Sequence, residues 1–124
     1  MNGNLNKGHY AERQVAEMLR KKGCIIDELN YRSKYGEIDI IAETAKYILF
    51  IEVKLRKQNS IVSPAEAIDY KKKRRIILTA EDYMQKSKIN FLQPRFDTAL
   101  ITEFDKNGKK TYKVEYICNA FTTD

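Results

Sequence analysis

Several features that place chains in common protein classes are missing from this sequence. No stretch approaches the roughly 18 consecutive apolar residues of a membrane span, so no membrane association is expected. Residues 1–7 are polar and lack the apolar core of a signal peptide, which predicts a cytoplasmic location. Cys24 and Cys118 have neither C-x-x-C spacing nor the density of a disulfide framework, so both are predicted to be reduced. His9, the only histidine, has no partner at metal or triad spacing, and a surface or helix-start position is expected for it.

Size and charge narrow the class of protein further. The 124 residues suit one domain, residues 1–124, and the 43% apolar and 32% charged residues are typical of a soluble globular protein. Lys and Arg number 23 against 17 Asp and Glu, a net charge of +6 that suits an anionic polymer as partner. Many basic proteins bind no nucleic acid, so charge alone does not decide the partner.

Two segments have the apolar spacing of helices. In residues 8–22 the apolar side chains recur at helical spacing, and Gly23 suits a left-handed C-cap. These side chains are Ala11, Val15, Met18 and Leu19. Ser63-Pro64-Ala65-Glu66 has the pattern of a capping box, which predicts a second helix from Ser63 to about Gln85. The side chains predicted to reach the core from this region are Ile68, Ile76, Ile77, Ala80, Tyr83 and Met84, together with Tyr70 and, further on, Phe96.

Five other segments are rich in β-branched and aromatic residues and predict strands. They are residues 24–33, 37–42, 47–54, 95–104 and 110–121. The polar pair Asp27-Glu28 would bend the first strand. The second and third read as an antiparallel hairpin around residues 43–46, although this turn lacks Gly, Asn and Asp. The last two are joined by a turn that contains Asn107-Gly108 in the order that hairpins favour. The predicted order is α-β-β-β-α-β-β, and two helices flanking a mixed central sheet bury these faces most simply.

Charged side chains that suit catalysis lie on the central predicted hairpin. Side chains alternate along a strand, so Glu52 and Lys54 project from one face. In the register whose paired residue numbers add up to 91, Asp39 lies opposite Glu52 with Cβ atoms roughly 5 Å apart, whereas a one-residue slip would separate them. Two like charges in an otherwise apolar strand pair are destabilising unless a cation lies between them.

A hard divalent cation fits that position. Mg²⁺ takes one or two carboxylates plus waters and substrate phosphate, and such an ion promotes phosphodiester hydrolysis. Lys54 is placed to orient the attacking water or to stabilise the developing charge. A simpler alternative fits the same spacing, in which Glu52 and Lys54 form an exposed ion pair and Asp39 is solvated.

The motifs around these residues resemble a known group of nucleases. Asp39, followed after a hairpin by Glu52-Val53-Lys54, is similar to the D…(D/E)-x-K signature of the PD-(D/E)xK superfamily. A wider set of motifs resembles the YraN-like family of small bacterial proteins over nearly the whole chain. The set comprises Ala11-Glu12, Asn30-Tyr31-Arg32, Gly36-Glu37-Ile38-Asp39, Glu52-Val53-Lys54, Glu66-Ala67-Ile68, Lys72 with Arg75, and Arg95-Phe96-Asp97. The resemblance implies an α/β, restriction-endonuclease-like fold.

The resemblance also implies a role for each site residue. Asp39 and Glu52 would hold Mg²⁺ or Mn²⁺. The Val53 carbonyl would offer a further ligand, and Lys54 would assist the attacking water. Glu12 matches a first-helix glutamate that joins the metal site in relatives resembling archaeal Holliday-junction resolvases, with a solvent-facing position as its alternative. The proline of the superfamily's name is absent, because an isoleucine precedes Asp39.

Basic residues flank the proposed site in sequence. The run 71–75 winds more than one helical turn and cannot all face one ligand, so a solvated face is the plain interpretation. Lys72 and Arg75, three apart, do share a helix face. With basic residues from the strand ends they would track a phosphate backbone, while Tyr31 or Tyr35 stacks on a base. The strand-end residues are Arg32, Lys34, Arg56 and Lys57.

Together these patterns predict a divalent-metal phosphodiesterase that acts on DNA, with branched or flapped DNA as candidate substrates. The first alternative is a non-catalytic nucleic-acid-binding module with the same fold. The second is a structural partner of other proteins, which would show neither cleavage nor salt-sensitive binding. A homodimer is expected only for a four-way junction, because that substrate has two-fold symmetry.

Overall fold

The computed structural model describes residues 3–59 and 69–121, with side chains from residue 9 onward within these ranges. The elements are α1 (Gly3–Lys21), β1 (Ile25–Arg32), β2 (Glu37–Glu43), β3 (Tyr47–Lys57), α2 (Tyr70–Ser87), β4 (Gln93–Lys106) and β5 (Lys109–Phe121). This order, α-β-β-β-α-β-β, is the predicted one.

A single five-stranded sheet with the spatial order β1-β2-β3-β4-β5 lies at the centre. Neighbouring strands are antiparallel except β3 and β4, which are parallel. The chain passes through α2 between these two strands, because a parallel pair requires a long crossover. The sheet is therefore mixed, and β3 is its central strand.

Two apolar clusters show that the helices cover opposite faces of this sheet. Val15 and Leu19 of α1 pack in one cluster with Leu49 of β3. Ile76 of α2 packs in the other with Phe50 of β3. Because neighbouring strand residues point to opposite faces, the molecule has three layers with the sheet between the helices. Neither described helix is long and apolar enough to cross a membrane.

The end of α1 follows the prediction and its start does not. Gly23 has a φ of +95°, a left-handed conformation that favours glycine, and it ends the helix as expected. The helix begins at Gly3, earlier than residue 8. The predicted apolar face is confirmed. Its members Ala11, Val15 and Leu19 are buried, and Met18 packs against the same cluster.

The prediction of one helix from Ser63 to about Gln85 is wrong, because Asp69 lies in extended conformation before α2. The Asp69 carboxylate accepts a hydrogen bond from the Lys72 N–H at 2.8 Å, which makes Asp69 the N-cap. The helix that carries Ile76 therefore starts at Tyr70. The capping-box pattern at residues 63–66, and Ile68, lie outside the described residues.

Most of the predicted core is confirmed. Ile76, Ala80, Tyr83 and Phe96 are buried, and Ile77 and Met84 pack against the same cluster. The prediction for Tyr70 is wrong, because its place in the first turn of α2 leaves it 76% exposed. Both cysteines are free, as predicted.

Local features of the strands explain their turns and bends. β1 is bent by a register shift at Asp27, as predicted. In the β2–β3 turn, the Thr44 hydroxyl accepts a hydrogen bond from the Tyr47 N–H at 2.9 Å, which stabilises a turn that has no Gly, Asn or Asp. Asn107 and Gly108 both have positive φ, which suits the two-residue hairpin predicted between β4 and β5.

Candidate active site

The β2–β3 hairpin has the register that the sequence predicts. The paired residues run from Ile40 opposite Ile51 to Glu43 opposite Ile48. One step beyond the first of these pairs, the same register would bring Asp39 next to Glu52, and both residues line one cleft. Phe50 packs on the α2 side of the sheet, and alternation puts Glu52 and Lys54 on that same side. Glu52 and Lys54 therefore share one face of β3, and Asp39 lies beside Glu52 in the lining of the cleft.

Where β2 and β3 separate, the side chain of Asp39 replaces the backbone of β2 as a hydrogen-bond acceptor for β3. The recorded backbone pairing of these strands ends at Ile40 and Ile51. Beyond it, the Val53 N–H donates a hydrogen bond to Asp39 Oδ2 at 2.8 Å. The N–H and C=O of one strand residue point towards the same neighbouring strand, so the Val53 carbonyl is directed to the Asp39 side of β3.

Burial makes Asp39 and Glu52 an unusual pair. Glu52 is only 7% exposed, and Asp39 is half-buried. Burial, followed by the neighbouring Glu52 carboxylate, raises the pKa of Asp39 to about 7, although the hydrogen bond from Val53 opposes the rise. Near neutral pH Asp39 is thus divided between its protonated and ionised forms, and a bound cation would displace the proton.

A lysine from α2 neutralises Glu52. Lys72 Nζ forms an ion pair with Glu52 Oε1, and the Lys72 side chain is 39% exposed. From its position in sequence Lys72 was predicted to contact nucleic acid. No signal in the sequence points to this pair, because it depends on how the first turn of α2 packs over β3.

Asp39 and Glu52 line a cleft of about 470 Å³ between the hairpin and the start of α2. The other lining residues are Gly36, Glu37, Asp69, Lys71, Lys72, Arg75 and Ile76. An adjoining depression is lined by Arg32, Ser33, Lys34 and Tyr35, and it shares Gly36, Glu37 and Arg75 with the cleft. The two form one groove, hereafter the basic groove, in which the acid pair lies beside lysine and arginine side chains from the β1–β2 turn and α2.

The β1–β2 turn is fixed against α2. A Cβ atom on Gly36 would lie 3.3 Å from Arg75 Cβ, so a larger residue would require Arg75 to move by a few tenths of an ångström. The hydroxyls of Ser33 and Thr79 form a hydrogen bond at 3.0 Å. The wall of the basic groove is therefore held in place by packing and hydrogen bonding.

Tyr35, rather than Tyr31, is available to stack on a base. Tyr35 is 39% exposed in the basic groove, and Lys34 Nζ lies 5.2 Å from its ring centroid. Tyr31 instead packs edge-on against Tyr83, and its hydroxyl donates a hydrogen bond to Asp82 Oδ2 at 2.7 Å.

Glu12 belongs to the helix on the opposite face of the sheet from α2. It is half-buried and hydrogen bonds to the Asn30 side chain, and burial raises its pKa. Within the described residues, no three carboxylate, imidazole or thiol groups are gathered closely enough to hold one ion. The charge of Glu52 nevertheless contributes to the raised pKa of Glu12, and the charge of Glu12 contributes to the raised pKa of Asp39, so Glu12 lies within electrostatic reach of the acid pair.

The remaining predicted residues extend along β3 beyond the cleft. Lys54 lies one pleat past Glu52 and is half-buried. Arg56, one pleat further, donates a hydrogen bond from Nε to Thr102 Oγ1 at 3.0 Å. Lys57 is exposed. These side chains lie outside the lining of the cleft itself.

Comparisons with known proteins identify the family. The sequence model described as "Uncharacterised protein family UPF0102" matches residues 11–101. The chain belongs to the UPF0102 family. A UPF0102 protein from Persephonella marina is 41% identical over 118 residues, 95% of each chain. Others from Caldanaerobacter subterraneus subsp. tengcongensis (40% over 116 residues; 92% of this chain, 93% of the relative) and Dichelobacter nodosus (38% over 117 residues; 92% and 87%) are similar.

Membership of UPF0102 confirms the resemblance to the YraN family that the motifs indicated. The matched segment includes Glu12, the acid pair, Lys54 and Lys72. The names of these relatives state no activity.

Asp97 lies at the centre of a second cluster of charged and polar groups. Its motif, Arg95-Phe96-Asp97, is visible in the sequence, but its contacts with β5 are not. Its carboxylate is fully buried and accepts hydrogen bonds from Arg95 at 2.9–3.2 Å, the Tyr116 hydroxyl at 2.6 Å and the Asn119 N–H at 3.0 Å. Burial and the Asp97 carboxylate both raise the pKa of Tyr116. All of these groups are paired within the protein, so the cluster joins β4 to β5 and has a structural role.

The raised pKa of Asp39 predicts how the metal-free protein responds to pH. The ordinary pKa of this group is 3.8, and its value in the folded chain is about 7. Between these pH values the unfolded chain has released a proton that the folded chain retains, so the contribution of Asp39 to stability falls as pH rises and is constant above about 7. Asp39→Asn should therefore raise the free energy of unfolding by about 1–3 kcal/mol at pH 8 and change it little near pH 4.

Urea unfolding in EDTA at several pH values measures this effect. Asp27→Asn is a matched control, because burial also raises the pKa of Asp27 to about 7 and its carboxyl partner is Glu43 rather than the acid pair. The control should alter the pH profile of stability but leave Mn²⁺ affinity unchanged. An Asp39→Asn profile parallel to that of the wild type would show that Asp39 ionises normally.

Proposed function

We propose that this chain is a divalent-metal-dependent nuclease that hydrolyses phosphodiester bonds, with DNA as the expected substrate and branched or flapped DNA as its candidate forms. The observation that carries the proposal is the acid pair, Asp39 and Glu52, within the basic groove. An acid pair suits a cation and basic walls suit phosphate, and metal-assisted phosphodiester hydrolysis needs both.

The donor atoms suit a hard divalent cation. Asp39, Glu52 and the Val53 carbonyl offer oxygen ligands, and neither cysteine nor His9 lines the cleft. Mg²⁺ takes one or two protein carboxylates and completes its coordination with waters and substrate phosphate. Two carboxylates are therefore sufficient, and Glu12 is not required as a direct ligand.

Each of the three site residues then has a distinct role in the proposed reaction. A bound Mg²⁺ or Mn²⁺ would lower the pKa of a water ligand and neutralise charge on the phosphate. Asp39 and Glu52 hold the cation. Lys54 is on the same face as Glu52, and its ammonium donates hydrogen bonds to the attacking water or to the charge that develops on the phosphate. Asp39 must be ionised for this role, so protons compete with the cation and metal affinity is expected to fall as the pH drops below about 7.

The basic groove supplies the binding energy for the polymer. Arg75, Lys34 and Arg32 contact phosphates, which positions a strand without reading its sequence. Exposed Tyr35 offers a ring on which an unpaired base stacks. A strand with accessible bases therefore fits better than uninterrupted duplex, which favours branched or flapped DNA.

A second candidate function is nucleic-acid binding without turnover. The ion pair between Lys72 and Glu52 favours it, because the pair neutralises a buried carboxylate without any metal. The basic groove serves either function equally well. Hydrolysis, and not affinity, therefore separates the two candidates.

The test of the proposed function is cleavage of labelled single-stranded, duplex, flap and four-way-junction DNA, with matched RNA, by the wild-type chain. We expect cleavage in Mg²⁺ or Mn²⁺ and none in EDTA, with flap or junction DNA cut faster than duplex. Tight, salt-sensitive binding without hydrolysis of any substrate in either metal would reject the nuclease and leave the binding module.

Affinity for nucleic acid should depend steeply on salt, because each phosphate contact releases counterions. Arg75→Ala should weaken binding to all sequences alike and reduce the slope of log K against log salt by about 1. Lys72→Ala should also weaken binding, because it removes a positive charge from the same groove. Fluorescence anisotropy across a salt series at a fixed EDTA concentration measures both.

The matched control is Lys46→Ala, which removes the same charge from the β2–β3 turn. Lys46 lies six strand residues from Glu52, roughly 20 Å along β3. This variant should bind with nearly wild-type affinity. Affinity that does not change between low and high salt would show that the basic groove does not bind phosphates.

A further inference from the structure

The ion pair between Glu52 and Lys72 joins a buried carboxylate with a partly exposed ammonium. Glu52 is held in the central strand and its side chain is 7% exposed, whereas the Lys72 side chain is 39% exposed. A buried carboxylate needs a partner, since leaving it unpaired is strongly destabilising. The lysine ammonium is a point charge on a flexible stem that is readily solvated.

A hydrogen bond holds the backbone of Lys72, whereas its side chain is partly exposed to solvent. Its N–H donates to the Asp69 carboxylate at 2.8 Å, which holds this position in the first turn of α2. The stem therefore pivots from a fixed point within the cleft. From that point the ammonium reaches Glu52 or turns outward into the basic groove, where Arg75 and Lys71 also lie.

We propose that Lys72 is a resident counterion of Glu52 that competes with a divalent cation for this carboxylate and passes to a substrate phosphate when the cation binds. This inference rests on the proposed function, because it takes Glu52 as a metal ligand. Lys72 thereby couples two binding events. Each cation bound at Glu52 releases one ammonium for phosphate, so metal and nucleic acid strengthen one another's binding.

Competition predicts that removing Lys72 tightens metal binding. In calorimetric titration of the DNA-free chain with Mn²⁺, Lys72→Met should bind about tenfold more tightly than the wild type, which corresponds to about 1.4 kcal/mol. Arg75→Met removes a charge from the same cleft without removing the Glu52 partner. It should change Mn²⁺ affinity less than about threefold, as expected for a screened charge. Lys72→Gln, which keeps a neutral hydrogen-bond donor, should fall between Lys72→Met and the wild type and serves if Lys72→Met folds poorly.

Coupling predicts a second result that involves no cleavage. Ca²⁺ is used in place of Mg²⁺ so that the DNA is not cleaved. The wild type should bind single-stranded DNA more tightly in Ca²⁺ than in EDTA. Lys72→Met should reduce this ratio of affinities, whereas Arg75→Met should leave the ratio unchanged. Anisotropy measured at equal ionic strength gives these ratios.

The outcomes separate this inference from the proposed function. Equal effects of Lys72→Met and Arg75→Met on Mn²⁺ affinity would show that any positive charge in the cleft repels the cation equally. That result would overturn the proposed competition between Lys72 and the cation for Glu52. Mn²⁺ binding that is unchanged in Lys72→Met would overturn it as well, and would leave the metal site intact. Absence of Mn²⁺ binding by the wild type and both Lys72 variants would overturn the metal site itself, and the inference with it.

Discussion

Replacement of Asp39 by Asn, or of Glu52 by Gln, is expected to abolish Mn²⁺-dependent cleavage. Each change removes one of the two carboxylates that face each other across β2 and β3, and a neutral amide is a far weaker ligand for a hard cation. The loss of rate should exceed the roughly 100-fold effect that follows removal of an outer-shell partner. Initial rates on the best substrate of the labelled panel, at saturating metal, measure it.

Binding of DNA in EDTA is the control for these two variants. It should survive or improve, because removal of a negative charge lessens repulsion of phosphate. Lys54→Met should also lose cleavage but retain Mn²⁺ binding, since the ammonium donates hydrogen bonds and is not a metal ligand. Wild-type rates in Asp39→Asn would show that hydrolysis takes place at another site.

Replacement of Asp97 by Ala is expected to cost about 3–5 kcal/mol of unfolding free energy, the range found when one partner of a buried charged pair is removed. The change leaves the Arg95 guanidinium, the Tyr116 hydroxyl and the Asn119 N–H without the acceptor that all three share. Urea unfolding monitored by circular dichroism gives the difference in midpoint, with the slope checked for two-state behaviour.

Glu115→Ala is the matched control for Asp97→Ala, because it removes an exposed carboxylate from the neighbouring strand β5. Its effect should lie within about 0.5 kcal/mol. A loss of less than 1 kcal/mol in Asp97→Ala would contradict the structural role assigned to this cluster. The wild type and Asp97→Ala should keep the same Mn²⁺ affinity at a temperature where both are folded.

Features of the fold governed by neighbouring residues were predictable from the sequence. The left-handed Gly23 and the Asn107-Gly108 turn depend on backbone preferences of single residues. The β2–β3 register follows from the short connection between the two strands, because turn type and loop length fix the pairing of a hairpin. The closeness of Asp39 and Glu52 in the cleft was predicted from that register.

Features that depend on distant elements meeting in space were not predictable. Lys72 reaches Glu52 only because α2 crosses over β3, and periodicity does not give the height or tilt of a helix on a sheet. Asp97 and Tyr116 are 19 residues apart and meet through the pairing of β4 with β5. The start of α2 was misassigned because two cap patterns compete, and the nearer one at Asp69 caps the described helix.

The location of Mn²⁺ by anomalous diffraction, in crystals of the full chain grown with the ion, tests most directly the claim that Asp39 and Glu52 share one cation. We predict a single strong peak in the cleft, within about 2.5 Å of a carboxylate oxygen from each residue, with Lys72 Nζ moved away from Glu52. No peak in the cleft, with Lys72 still paired to Glu52, would contradict the account.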